Sequence, residues 1–272
     1  MTTPDRSGAP EDIGLLEIFG GPASTFTRSI KLGLHELGIH FIEVNRAPHS
    51  EDIKSRNPYG LLPVLVHRPD GLYTKPDDIV TLYESNAIRR YIDEYLAPIA
   101  AHSPKGLRQL TPALLSSGGT VDAATVILRA RLDGFVSSFS QTIFPALEGG
   151  FIKPAAQMKK NGADIETINV ALEPGLTRTH SLLEIVESQA KSHNSAKSAG
   201  WILGGESTDV TWADLFLFPI LDDLRASPAG QLVSGDSPTF PWLADWLNRM
   251  DARPSVKITH EGTVAHQAGR KP

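Results

Sequence analysis

Pro63 stands directly in front of the apolar run Val64-Leu65-Val66, where a strand should begin. Proline lacks the NH that a central strand gives to its ladder, so the strand must start here rather than run through this residue. The preceding Asn57-Pro58-Tyr59-Gly60-Leu61-Leu62 reads as a tight approach to it. An X-Pro bond adopts the cis form at an intrinsic cost of only about 0.5 to 1 kcal/mol. In that form the NH and C=O of Leu62 point outward, free to pair with an extended ligand as though it were an added strand. An ordinary turn proline satisfies the same spacing.

Around this point strand and helix signals alternate. Leu15-Leu16-Glu17-Ile18-Phe19 reads as a short buried strand closed by Gly20-Gly21-Pro22. From Thr27 to Leu37 the residues Ile30, Leu34 and Leu37 share one face and Gly38 follows as a stop, the spacing and punctuation of an amphipathic helix. Phe41 to Val44 predicts a second strand, and Arg46 to Arg56 a loop or short irregular helix. After the strand at Val64, Arg68-Pro69-Asp70-Gly71 signals a turn, and Leu72 to Asp78 a lengthened hairpin loop. Ile79 to Tyr83 predicts the fourth strand and Ser85 to Leu96 a helix. A strand–helix–strand unit forces a parallel pair and a hairpin an antiparallel one, so an α/β domain with a mixed sheet is expected.

The junction at Glu84-Ser85 carries a second candidate site. With Ser85 as N-cap, the helix start offers unpaired NH groups and partial positive charge to a carboxylate, while Glu84 beside it suits an ammonium. The pair fits the zwitterionic end of an amino acid. A plain helix start with an acidic flank uses the same residues.

The Pro-, Gly- and Ser-rich stretch from Ser103 to Gly119 marks a linker or inserted loop, beyond which the signals are helical. Val126, Ala130, Phe135 and Phe139 are spaced as one face of a helix over Val121 to Ser140. The two phenylalanines suit either the core or a pocket wall. Ile165 to Lys191 is a long helical stretch that Pro174 should bend or break. Thr211-Trp212-Ala213-Asp214, between Val210 and Leu215, has the form of a capping box with a hydrophobic staple. It opens an apolar helix, Leu215 to Leu224, and gives Asp214 a role in folding. A last helix through Trp242 to Leu247 ends near Arg253-Pro254, and a polar, poorly ordered tail is expected from Thr259. The expected domains are 13–97 and 120–258, the second all-helical, with 1–12 and 259–272 as flexible tails.

Composition narrows the chemistry. The chain has 272 residues, long enough for two cores, and 26 Lys plus Arg against 31 Asp plus Glu, a net charge of -5. No basic block occurs, so nucleic acid is not an expected partner. No apolar run approaches a membrane span and Met1 to Asp12 does not read as a signal peptide, so the expected location is cytoplasmic, with no membrane partner. The absence of cysteine excludes a disulfide framework, a thiolate metal site and a cysteine nucleophile. If thiol chemistry occurs, the thiol is brought in. The nine histidines show no metal-ligand spacing, and His35, His40 and His49 read as surface or loop residues, so no metal is expected. Gly20-Gly21-Pro22 and Gly204-Gly205 lack the pattern that cradles a phosphate.

Taken in order, Asn57 to Pro63, Glu84-Ser85-Asn86-Ala87-Ile88, Thr211 to Asp214 and Trp242 to Pro254 resemble the motifs of the cytosolic glutathione transferase superfamily. The resemblance implies a thioredoxin-like first domain that binds glutathione, an all-α second domain that completes a pocket for a hydrophobic electrophile, and a homodimer. By the same resemblance Leu62 pairs backbone to backbone with the cysteinyl part of glutathione, Pro63 holds the cis turn, and Glu84 with Ser85 grips the γ-glutamyl end. Phe19 to Arg28 is similar to the serine-type plant phi class, which implies Ser24 as the catalytic residue.

Glutathione's thiol has a pKa near the cysteine value of roughly 8.5, so little is thiolate at neutral pH. A hydroxyl donor at a helix N-terminus favours the anion without taking the proton. Thr25, Thr27 and Ser29 compete with Ser24 for this task, and Ser24 also serves as an N-cap that simply starts the helix. Arg28 either adds positive potential or is a surface charge.

The chain departs from the phi pattern in two places. Leu61 replaces a common glutamine, and Pro48-His49-Ser50 lacks a His-Lys pair that meets the glycine carboxylate, a loss that His49 could partly offset. Each charged hydrogen bond so lost is worth roughly 1.5 to 3 kcal/mol. The loops at 68–78 and 103–119 are additions that suggest a specialised member. Three functions fit: conjugation of glutathione to an electrophile, glutathione-dependent cis-trans isomerisation of a conjugated small molecule, and a non-catalytic binding or regulatory role.

Overall fold

The computed structural model describes residues 13–100, 110–112, 122–193, 200–203, 210–236 and 238–272. Residues 1–12, Gly204-Gly205 and nearly all of the expected 103–119 insertion lie outside the described residues. The chain divides into two compact units between Leu110 and Thr111.

The first unit begins with β1 (Leu15–Phe19), α1 (Thr25–Leu37) and β2 (Ile42–Val44), a crossover that leaves β1 and β2 parallel. Gly38 ends α1 in the left-handed conformation, φ 68°, which costs glycine least. A short α2 (Glu51–Lys54) leads to β3 (Val64–Arg68), antiparallel to β1, and then to β4 (Val80–Tyr83), antiparallel to β3. The sheet is mixed, in the order β2-β1-β3-β4. Two 3-10 turns fill the long β3–β4 connection and leave Leu72 and Tyr73 exposed. Phe19, Ile53, Val64 and Val66 form a buried cluster, with Val44, Leu62, Ile79 and Tyr83 packed around it. α3 (Ser85–Tyr91) continues through a wide π-type turn, Ile92–Leu96, into α4 (Ala97–Ala100). This is a thioredoxin-like arrangement.

Three expectations about this unit change. Arg28 is 2% exposed, so it is not a surface charge. His35 lies half-buried in α1 against the Phe41 ring, and burial lowers its pKa below the ordinary histidine value. Ser85 is the first residue of α3 and Glu84 takes the cap position.

The second unit is helical in its described residues: α5 (Ala123–Ser138), α6 (Lys153–Lys160), α7 (Ile165–Ala171), α8 (Glu173–His193), α9 (Trp212–Arg225), α10 (Pro241–Asp251), α11 (Pro254–Ile258) and α12 (Val264–Gln267). Pro174 falls in the first turn of α8, where its missing NH costs nothing, so the long stretch is broken into α7 and α8. The buried face of α5 is Leu132, Phe135 and Val136, continued by Phe139. Val126 and Ala130, expected on that face, are exposed. Phe135 and Phe139 stack with ring centres 5.7 Å apart and are buried as core residues.

Asp214 fastens the start of α9. Its carboxylate accepts from the Thr211 NH and hydroxyl, the Ile202 NH and the Trp246 indole NH, each at 2.9 Å. Burial pushes its pKa up, and these donors oppose that shift.

Residues 259–272 are not the loose tail their polarity suggests. Arg270 reaches Asp222 and Asp251, each of which also holds Arg225, while Thr263 and Ala265 are buried. The two arginines and two aspartates neutralise one another, and the segment folds back as α12 against α9.

Candidate functional site

The strand register assembles the site. Phe19 pairs with Val44 on one side and Val64 on the other, and Val64 pairs with Tyr83, so these four residues form one row across the sheet. β1, β2 and β4 finish at that row and β3 starts from it. Ser24 lies in the turn after Phe19, His49 in the loop after Val44, Leu62-Pro63 just before Val64, and Glu84-Ser85 just after Tyr83. Every candidate residue of the first unit therefore issues from the same end of one sheet.

Ser24 caps α1 with extended backbone. Its Oγ accepts from the Thr27 hydroxyl at 2.9 Å and, more weakly, from the Thr27 NH at 3.4 Å. Both bonds use Ser24 as acceptor, which leaves its own proton to be donated. Its three competitors are buried: the Thr27 hydroxyl is spent on Ser24, and that of Ser29 on the Thr25 carbonyl at 3.2 Å. Ser24 is half-buried. Gly20 makes room for the pair, since a Cβ there would lie 2.3 Å from Thr27 Oγ1.

The Leu62–Pro63 bond is cis. Pro63 is buried, Leu62 packs on the core cluster, and among the described residues neither the NH nor the C=O of Leu62 takes a hydrogen-bond partner. Leu61 is half exposed.

Glu84 is exposed and holds φ 69°, one of two non-glycine residues among those described with positive φ. Such backbone costs of order 1–3 kcal/mol and persists where the surroundings impose it. Ser85 follows, half-buried. The Glu84 carbonyl accepts from the Ile88 NH at 3.0 Å, so its backbone enters α3 while its side chain stays outside.

His49 is the other positive-φ residue, at 62°. Its NH donates to the Gly60 carbonyl at 2.8 Å, and its ring lies so close to Gly60 that a Cβ there would come within 2.5 Å of Nδ1. Nearby, Arg46 and Arg56 both bond Asp52 and hold its carboxyl below the usual range. Arg56 also lies over the Phe19 ring, 4.5 Å from its centre.

Asn57 is the residue whose importance the sequence does not announce. It is 1% exposed and holds the loop before Leu62 through both side-chain atoms. An Asn ahead of a turn Gly is a usable signal, though it reads as ordinary turn chemistry.

Among the described residues no group of three or more His, Asp or Glu is placed to hold a metal ion, and no helix is long and apolar enough to cross a membrane.

Residues 23–95 match the family model of the glutathione S-transferase N-terminal domain, and residues 169–249 that of the C-terminal domain. Glutathione S-transferase F7 of Arabidopsis thaliana is 25% identical over 89% of this chain and 97% of its own length. Among solved structures, glutathione transferase F7 of Populus trichocarpa superposes with a TM-score of 0.64 at 22% identity, covering 91% of this chain and 99% of that one. The theta class glutathione S-transferase of Xanthomonas axonopodis pv. citri, solved with glutathione bound, gives 0.64 at 18% identity over 93% and 100%. With both domain models matched in order over more than half of its length, on a thioredoxin-like sheet followed by helices, the chain belongs to the glutathione S-transferase superfamily.

Proposed function

We propose that this protein is a glutathione transferase that activates the glutathione thiol for attack on a small hydrophobic electrophile. The observation that carries this reading is the single row of Val44, Phe19, Val64 and Tyr83, from which all the candidate binding residues emerge. The unpaired backbone of Leu62 offers a donor and an acceptor to the cysteinyl amide, as an added strand would find at a sheet edge. Glu84 takes the γ-glutamyl ammonium, Ser85 at the first turn of α3 takes its carboxylate, and His49 lies on the side of the glycine end.

Ser24 is the catalytic residue in this reading. Its unused proton points a hydrogen bond at the sulfur, and the N-terminus of the 13-residue α1 adds partial positive charge. Both favour the thiolate, and one pKa unit of lowering corresponds to about 1.4 kcal/mol. The thiolate then forms a carbon–sulfur bond and the electrophile's leaving group departs, or a conjugated double bond accepts the sulfur and then a proton. Conjugation to a reactive aryl halide, followed by absorbance, tests the reading: the native protein turns over and Ser24→Ala is slower with an unchanged glutathione KM. No turnover by the native protein would sink it. Product analysis separates conjugation from isomerisation, since an isomerase returns free glutathione.

A second copy of the chain is the expected partner. Supporting this, α5 turns Ala123, Val126, Ile127 and Ala130 outward, an apolar stripe at helical spacing that a homodimer would cover. Sedimentation should give twice the mass of one chain.

A further inference from the structure

We infer that the site accepts γ-glutamylcysteinyl thiols whose third residue ends as an acid, an ester or an amide alike, because Asp52 already occupies the arginines that would read a carboxylate there. This rests on the glutathione-binding reading above and specifies its substrate class. The loop that carries His49 leaves the sheet after Val44 and ends at α2. Arg46 opens it, Arg56 follows α2, and Asp52 in the first turn of α2 joins the two. Arg46 Nε donates to Asp52 Oδ2 at 2.7 Å, and Arg56 Nη1 donates to Oδ1 and, at 2.7 Å, to the Asp52 backbone carbonyl. Each carboxylate oxygen thus takes one guanidinium, the arrangement that an anchored ligand carboxylate would have. The chain supplies that carboxylate itself.

The remaining groups of the loop are also engaged. Arg46 Nη1 turns back to the Asn45 carbonyl at 2.9 Å, Arg56 lies over the Phe19 ring, and Lys54 stands 3.9 Å from Glu51. The Arg46 bond first, and the Arg56 bond with it, hold the Asp52 carboxyl below the usual range, so it stays ionised at neutral pH and keeps both partners. Three cations against two carboxylates leave one positive charge on the loop, partly exposed and screened over about 8 Å at physiological ionic strength. His49 gives its NH to the Gly60 carbonyl and keeps its ring against Gly60. An imidazole N–H can be met by an ester or amide carbonyl as well as by a carboxylate oxygen.

The sign of one substitution separates this role from a structural one. Asp52→Asn keeps the shape of the side chain and removes its charge. A loop clasp, once weakened, would loosen every ligand. An internal competitor, once discharged, frees Arg46 for the ligand's own carboxylate and tightens the acid alone; Arg56 stays anchored by the Asp52 backbone carbonyl.

The experiment is calorimetric titration of the native protein, Asp52→Asn, and Asp52→Asn combined with Arg46→Gln, each with reduced glutathione and with its glycine monoethyl ester. The native protein should bind the two thiols within about threefold of each other, and Asp52→Asn should bind glutathione about three to five times more tightly, the worth of an exposed ion pair. Ester affinity should not change. Adding Arg46→Gln, or salt to about 0.5 M, should remove the gain. A larger native preference for the acid would overturn the inference while leaving the glutathione reading intact, and that ratio decides the matter even if the variants do not fold. Asp52→Asn that folds without tightening the acid relative to the ester would overturn it equally. Binding of neither thiol by the native protein would overturn the glutathione reading, and this inference with it.

Discussion

Ser24 and Asp214 both serve the start of a helix, and they do opposite things with the same chemistry. At α9, the Asp214 carboxylate is fully enclosed and accepts four hydrogen bonds from three segments of the chain. At α1, Ser24 is half-buried, accepts from Thr27 alone, and retains a proton. A capping-box carboxylate with its acceptors all engaged holds structure. A cap with one valence spare, at a sheet end where three other loops converge, can meet a ligand. The difference between the two lies in unspent hydrogen-bonding capacity: Ser24 at the N-cap of α1 keeps a donor, whereas Asp214, in the first turn of α9, has none to spare.

The contrast breaks most visibly at Asp214. Asp214→Ala leaves four buried donors without their acceptor and should lower unfolding free energy by on the order of 4 kcal/mol. Denaturant melts measure this, and the glutathione affinity of the molecules still folded should not move. Arg270→Ala removes one of the two cations held by Asp222 and Asp251, and a loss of about 2 kcal/mol is expected, less because Arg225 remains. Faster proteolysis after Thr259 would accompany it. Ser24→Ala inverts the pattern: kcat should fall about tenfold or more, equivalent to about 1.4 kcal/mol, while stability drops by only about 0.5 kcal/mol because its one backbone cap bond is long. Glu84→Gly moves stability and binding in opposite directions. Relief of the positive φ should raise stability by about 1 kcal/mol while glutathione binding weakens, a trade that thermal melts and titration read separately.

Much of the fold was legible because backbone signals are local. Gly38 after an apolar stripe, Pro63 ahead of a valine run and Pro174 inside a helical stretch each act through their own φ or missing NH, and each marks an element boundary in the structure. The misreadings share another origin. The polar tail from Thr259 and the buried face of α5 are misread because whether a charge or an apolar stripe is covered depends on segments far away in the chain. Register was legible only in part: the hairpin and crossover gave strand directions, while the row through Phe19, Val64 and Tyr83 required the folded sheet. The shift of the α3 cap from Ser85 to Glu84 has the same character, since a positive φ at a glutamate contradicts its local preference and is imposed from outside.

The central claim is that the spare valences at one sheet end form a glutathione site, and calorimetric titration of the purified protein with glutathione tests it most directly. The native protein should bind with millimolar or tighter affinity, and Glu84→Ala should weaken that binding about tenfold or more through loss of the ammonium's partner. Absence of binding by the native protein, or equal binding by both, would contradict the account.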